Sequence, residues 1–139
     1  MYDTGRGVPR DDAEAMRWYR LGAAQGRALA QHNLGLMYGT GRGVPRDDAE
    51  AMRWYRLAAA QGEARAQNNL GFLYVTGRGV PQDDVQAHMW FTLAASRYSP
   101  GRDRDRVVEN RDRVARRMTP AQLAEAERLA REWKPKSGK

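Results

Sequence analysis

Tyr38–Gly62 reads YGTGRGVPRDDAEAMRWYRLAAAQG, and Tyr2–Gly26, 36 residues earlier, reads YDTGRGVPRDDAEAMRWYRLGAAQG. Only Asp3/Gly39 and Gly22/Ala58 differ between the two stretches. A looser third copy, YVTGRGVPQDDVQAHMWFTLAASRY, spans Tyr74–Tyr98. A fixed period of this length is the mark of a stacked-repeat architecture. Each unit of such an array cannot bury its own apolar face and must lean on the next. The period therefore predicts an all-α solenoid with an elongated surface and no enclosed catalytic pocket.

Each unit reads as two helices. Asp11, Asp47 and Asp83 are placed as N-caps, and Glu14, Glu50 and Gln86 three residues on complete a capping box. Asp12, Asp48 and Asp84 add negative charge to the first turn, where the helix dipole favours it. Ala51, Trp54, Tyr55 and Ala58 then form one apolar stripe, as do Ala15, Trp18, Tyr19 and Gly22 in the first copy and Ala87, Trp90, Phe91 and Ala94 in the third. Gly26 and Gly62 suit a left-handed helix end. A second helix follows, over 28–38 and 64–74, with Ala30, Leu34, Met37 and Tyr38 on one side and Ala66, Leu70, Leu73 and Tyr74 on the same side of the next. Gly35 and Gly71 sit beside these stripes, which predicts close helix approach to a Trp ring of the neighbouring helix. Thr-Gly-Arg-Gly-Val-Pro joins the helices at 4–9, 40–45 and 76–81. Its valines (Val8, Val44, Val80) are expected to plug the turn, and its prolines (Pro9, Pro45, Pro81) to stop the preceding helix. The Gly-x-Gly within it lacks the preceding strand and third glycine of a dinucleotide loop, and the Gly-Lys-Ser/Thr of a P-loop.

Ala-x-x-x-Leu-Gly-x-x-Tyr, Gly-x-Gly-Val, Asp, Ala-x-x-Trp-Tyr/Phe and Ala-Ala occur in that order. One complete unit carries them on Ala30, Leu34, Gly35, Tyr38, Gly41, Gly43, Val44, Asp47, Ala51, Trp54, Tyr55 and Ala58-Ala59. The next carries them from Ala66 to Ala94-Ala95. This pattern resembles the Sel-one-like repeat (SLR), a helix–turn–helix unit related to the tetratricopeptide repeat. The resemblance implies a right-handed superhelix of antiparallel helix pairs, acting as a protein–protein interaction scaffold or adaptor of bacterial type. It supplies no catalytic residues. It divides the chain into a partial unit lacking its first helix (1–26), two units (27–62 and 63–98), and C-terminal capping helices with a short basic tail (99–139). Some cysteine-rich members are linked to β-lactam chemistry; this chain has no cysteine and no Ser-x-x-Lys.

The 139 residues are 41% hydrophobic and carry a net charge of +7. The excess is uneven: net +1 over 1–96 and net +6 over 97–139. Nucleic acid or an anionic surface is therefore an alternative partner only for the C-terminal segment, where Arg and Asp interleave as on a solvated helix face. That segment reads as a helix over 104–117, then a strong start at Thr119-Pro120-Ala121-Gln122, with Lys136 to Lys139 fraying. No run is apolar enough to span a membrane. No signal peptide is visible, but the leading helix of the first unit is missing, so the compartment stays open between cytoplasm and periplasm or secretion. His32 and His88 do not align by the period, and no metal or cofactor site is expected. The residues opposite the second-helix core stripe, Leu29, His32 and Leu36 in one unit and Arg65, Asn68 and Phe72 in the next, vary while the core repeats. By the resemblance they line a concave groove for a protein or peptide. The uncovered Trp18 and Tyr19 predict self-association through the N-terminal edge.

Overall fold

The computed structural model describes residues 8–137, with side chains from residue 12 onward. Seven helices and no strand occur among the described residues: α1 (Val8–Ala24), α2 (Ala28–Thr40), α3 (Asp48–Ala60), α4 (Ala64–Thr76), α5 (Asp84–Arg97), α6 (Arg102–Ala115) and α7 (Pro120–Glu132). Helices α1 to α6 each pack on the next, and α7 returns to pack on α5. The arrangement is an α-solenoid. One buried cluster runs from α3 to α7, and a second, of Met16, Ala23, Leu34 and Met37, joins α1 to α2. Tyr38 packs against both, which makes the apolar stack continuous.

Local signals set the helix ends. Asp47 and Asp83 accept hydrogen bonds from the backbone N–H of Glu50 and Gln86, each at 3.1 Å. The reciprocal half of the expected capping box does not form there. The N–H groups of Asp47 and Asp83 donate instead to the carbonyls of Tyr38 and Tyr74, which fixes the turn to the preceding helix and leaves Glu50 beside Arg53. Where no earlier helix supplies such a carbonyl, as at Thr119, the complete box is present. In the first copy α1 already begins at Val8 and runs through Pro9, so Asp11 lies inside the helix; proline is tolerated in a first turn. The expected plugging by Val8 and capping by the Asp11 side chain lie outside the described residues, as does fraying at Gly138 and Lys139. Gly26 and Gly62 take positive φ, and the paired bonds Arg27 N–H to Gly22 O and Gly26 N–H to Ala23 O close the helix end, with the same pair at Glu63 and Gly62.

The tertiary packing rotates the expected stripe. On α3 the buried residues are Ala51, Met52, Tyr55, Ala58 and Ala59, while Trp54 is only half-buried and packs back onto the α1–α2 cluster. Met52 sits nearer than Trp54 to the line where the helix meets its neighbours. The ring against each helix glycine is correspondingly not Trp. A Cβ on Gly35 would fall 2.7 Å from Tyr55, and one on Gly71 2.6 Å from Phe91. Two wholly buried glutamines were hidden among the apolar positions. Gln31 Nε2 donates to Ala23 O and Gln67 Nε2 to Ala59 O, so each ties its helix to the last turn of the one before.

An ion-pair ladder runs along one edge: Arg42 to Asp12, Arg78 to Asp48 and Arg117 to Asp84, at 2.9, 3.1 and 2.6 Å. The acidic residues placed for the helix dipole thus also accept the arginine of the following turn. Arg78 and Arg46 hold the Asp48 carboxyl below the usual carboxylate range. The third rung uses Arg117, beyond the third repeat, so the α6–α7 region closes the ladder. The arginines are exposed while the aspartates are largely covered, and pairs open to solvent on one side contribute little each.

Candidate partner-binding face

The six groove residues proposed from the sequence separate into two groups. Leu29, Leu36 and Phe72 are exposed to 50%, 37% and 43%, and Arg65 is exposed. Leu36 and Phe72 occupy equivalent positions on α2 and α4. Asn68 is half-buried, and its Oδ1 is buried with no hydrogen-bond partner in the chain. Arg65 is held back against Glu63, whose carboxylate accepts from the Arg65 backbone N–H at 2.9 Å and from its Nε at 3.2 Å.

His32 does not belong to an accessible surface. It is 4% exposed, its ring centroid lies 5.9 Å from that of Tyr55, and its Nε2 is 3.1 Å from Asn69 Nδ2 on α4. Its expected place opposite the core stripe is overridden because Tyr55 of α3 and Asn69 of α4 pack against it. Burial lowers its pKa, with Glu63 opposing the shift. His32 is therefore an inter-repeat contact.

Two residues near Phe72 were not legible in the repeat. Phe72 meets Phe91 edge-on at 5.5 Å, and beside it a crevice of about 70 Å³ opens between α4 and α6, lined in part by Phe72, Val75, Asn110 and Arg113. Asn110 and Arg113 lie in α6, where the 36-residue register has lapsed, so no periodicity marks them. This face offers aliphatic and aromatic contacts from Leu29, Leu36 and Phe72 and the Arg113 guanidinium at the rim, while the buried Asn68 oxygen is not presented to a partner. That combination suits side-chain and backbone recognition of a polypeptide. Among the described residues no three His, Cys, Asp or Glu side chains converge as a metal site would require, and no helix is long and apolar enough to cross a membrane.

A family profile described as "Sel1 repeat" matches residues 1–26, 28–63 and 64–99. No curated protein matches the chain significantly in sequence. Among solved structures, a protective antigen present in uropathogenic Escherichia coli strains and displaying an SLR fold superposes with a TM-score of 0.80 at 38% identity, over 87% of this chain. The chain spans 25% of that protein's length. A Sel1 repeat protein from Oxalobacter formigenes superposes with a TM-score of 0.66 at 37% identity, over 78% of each chain.

Proposed function

The chain belongs to the Sel1 repeat family, and from that premise we propose that it is a non-enzymatic scaffold whose α2–α4–α6 side binds a protein or peptide partner. Members of this family generally act as protein–protein interaction scaffolds. The observation that carries the reading for this chain is the row of exposed apolar side chains, Leu29, Leu36 and Phe72. Interface energy concentrates on a few well-packed anchors, large aromatic side chains prominent among them.

The alternative, an anionic partner at the basic C-terminal segment, has less support. Arg111, Arg113, Arg117 and Arg128 all lie within ion-pairing distance of carboxylates, which reduces the field they present.

The test is selection of displayed peptides on the wild-type chain, followed by titration against Phe72→Ala/Asn68→Ala. That variant should keep its helicity, since losing the Phe72–Phe91 contact costs about 1 kcal/mol. Peptide affinity should fall at least tenfold. Undiminished binding, or collapse of the helical signal, would remove this face as the site.

A further inference from the structure

The chain beyond α7 does not run free. Trp133 leaves the helix in an extended conformation (φ −68°, ψ 139°). Its ring stands edge-on to Trp90 of α5, with 6.4 Å between centroids, and the Arg97 guanidinium lies 5.3 Å over it. Arg97 also lies flat on the turn after α3: a Cβ on Gly62 would come within 2.6 Å of its Cζ, so a side chain there would push the guanidinium off. Three residues past the Trp, the Lys136 N–H donates to Ala60 O at 2.7 Å. Ala60 ends α3, and its carbonyl is one that the helix cannot satisfy internally. Pro135 holds the span extended. Residues 133–137 thus cross between the C-terminal ends of α3 and α5, and the expected fraying at Lys136 does not occur.

The preceding repeat builds the same frame between α1 and α3. Thirty-six residues back, Trp54 stands for Trp90, Gly26 for Gly62 and Ala24 for Ala60. Gly26 and Gly62 share the positive φ that shapes the turn, 84° and 99°. Trp54 is half-buried and Ala24 exposed. Two positions differ: Gln61 stands where the third repeat has Arg97, and Arg53, whose guanidinium lies 4.7 Å over the Trp54 ring, stands where it has Met89.

We propose that the crevice between the ends of successive odd-numbered helices is a docking site for an extended peptide carrying Trp with Pro two residues later. Between α3 and α5 the chain's own residues 133–137 fill it. Between α1 and α3 it takes the like segment of a partner protein. The seated tail defines the chemistry: an aromatic anchor against the Trp of the crevice, then a backbone N–H for the exposed helix-end carbonyl. The site uses α1 and α3, so it stands or falls independently of the α2–α4–α6 face.

The probe is a synthetic peptide of residues 131–139, REWKPKSGK, titrated onto the full chain with amide and indole chemical shifts as readout. Saturable one-to-one binding should move the signals of Ala24, Gly26 and the Trp54 indole, and the peptide with Ala in place of its Trp should not bind. Gln61→Arg supplies the missing guanidinium and should tighten binding about two- to fivefold, the worth of an exposed cation–π contact. Gln61→Ala, which removes the same hydrogen bond to Gln31 without adding a cation, should not tighten it. Trp133→Ala empties the second crevice and should raise the stoichiometry to two. Absence of saturation, equal effects of Gln61→Arg and Gln61→Ala, a stoichiometry that stays at one, or shifts centred on Leu36 and Phe72 would each overturn the proposal.

Discussion

Gly71→Ala tests how closely the helices of a pair approach. An ideal Cβ at Gly71 falls 2.6, 2.8 and 2.9 Å from three carbons of the Phe91 ring. Carbon atoms prefer about 3.5–4.0 Å, so the added methyl is about 1 Å too close. Phe91 cannot yield easily: it is 1% exposed and is met edge-on by Phe72. Either α4 backs away from α5 or the ring leaves its rotamer, a cost of about 1–3 kcal/mol for overpacking. Three simultaneous ring contacts place this case in the upper half of that range. Alanine's better helix propensity and the stiffer unfolded chain return about 1 kcal/mol. The net is a destabilisation of about 1–2 kcal/mol. With an unfolding entropy near 2.1 cal/mol/K per residue over 139 residues, Tm should fall by about 3–7 °C in a calorimetric melt. Gly39→Ala is the control. Its Cβ would lie 3.6 Å from Ala51 Cβ, an ordinary contact, and the next repeat already carries Val75 at that position. Gly39→Ala should leave Tm unchanged or raise it by up to about 3 °C. If Gly71→Ala melts at or above the wild type, the account of glycine as a spacer for the ring is wrong.

Equivalent tryptophans should not cost the same: Trp18→Ala, at a site 60% exposed, should stay within about 0.5 kcal/mol, whereas Trp54→Ala should cost about 1–3 kcal/mol, short of the ~3–5 for a fully buried aromatic. Urea denaturation decides, and equal costs would contradict the difference in packing. Thr119→Ala should lower stability by about 1 kcal/mol through loss of the α7 cap, with faster amide exchange in the first turn of α7 as the check. Burial lowers the pKa of both His32 and His88 from their ordinary 6.5. The unfolded chain therefore takes up protons first as pH falls below about 6.5, so stability should drop on acidification through that point; His32→Gln/His88→Gln should flatten the urea midpoint between pH 7.5 and 5.5, and an unchanged slope would count against it. Trp18 and Leu21, 60% and 51% exposed on α1, should make sedimentation depend on concentration, and Trp18→Ser should abolish that dependence; a monomer at about 100 μM in both would dismiss self-association by this edge.

The repeat period, the aspartate and threonine caps, the glycine-ended helices and the second-helix stripe were all legible in the sequence. Each depends on residues within a few positions of one another, so a local pattern determines it. The family followed from the same pattern, since the recurring spacing of Leu34-Gly35, Gly41-x-Gly43 and Trp54-Tyr55 lies within single units. What a residue faces across a gap was decided by the stacking. Two copies of the same MRWYRL stretch leave Trp18 exposed and Trp54 half-buried, because burial depends on the neighbouring repeat and not on the residue's own helix. The crossing of α3 over α2 brings Tyr55, not Trp54, onto Gly35, a matter of a 100° step around one helix that no period of 36 can fix. His32 left the candidate face because Tyr55 and Asn69 pack against it, while Leu36, one turn further on, stays open. The seat of Trp133 and Lys136 lies 36 to 76 residues back along the chain, on Trp90, Arg97 and Ala60. Only the return of α7 onto α5 brings those groups together, so composition alone read the tail as a frayed, basic end.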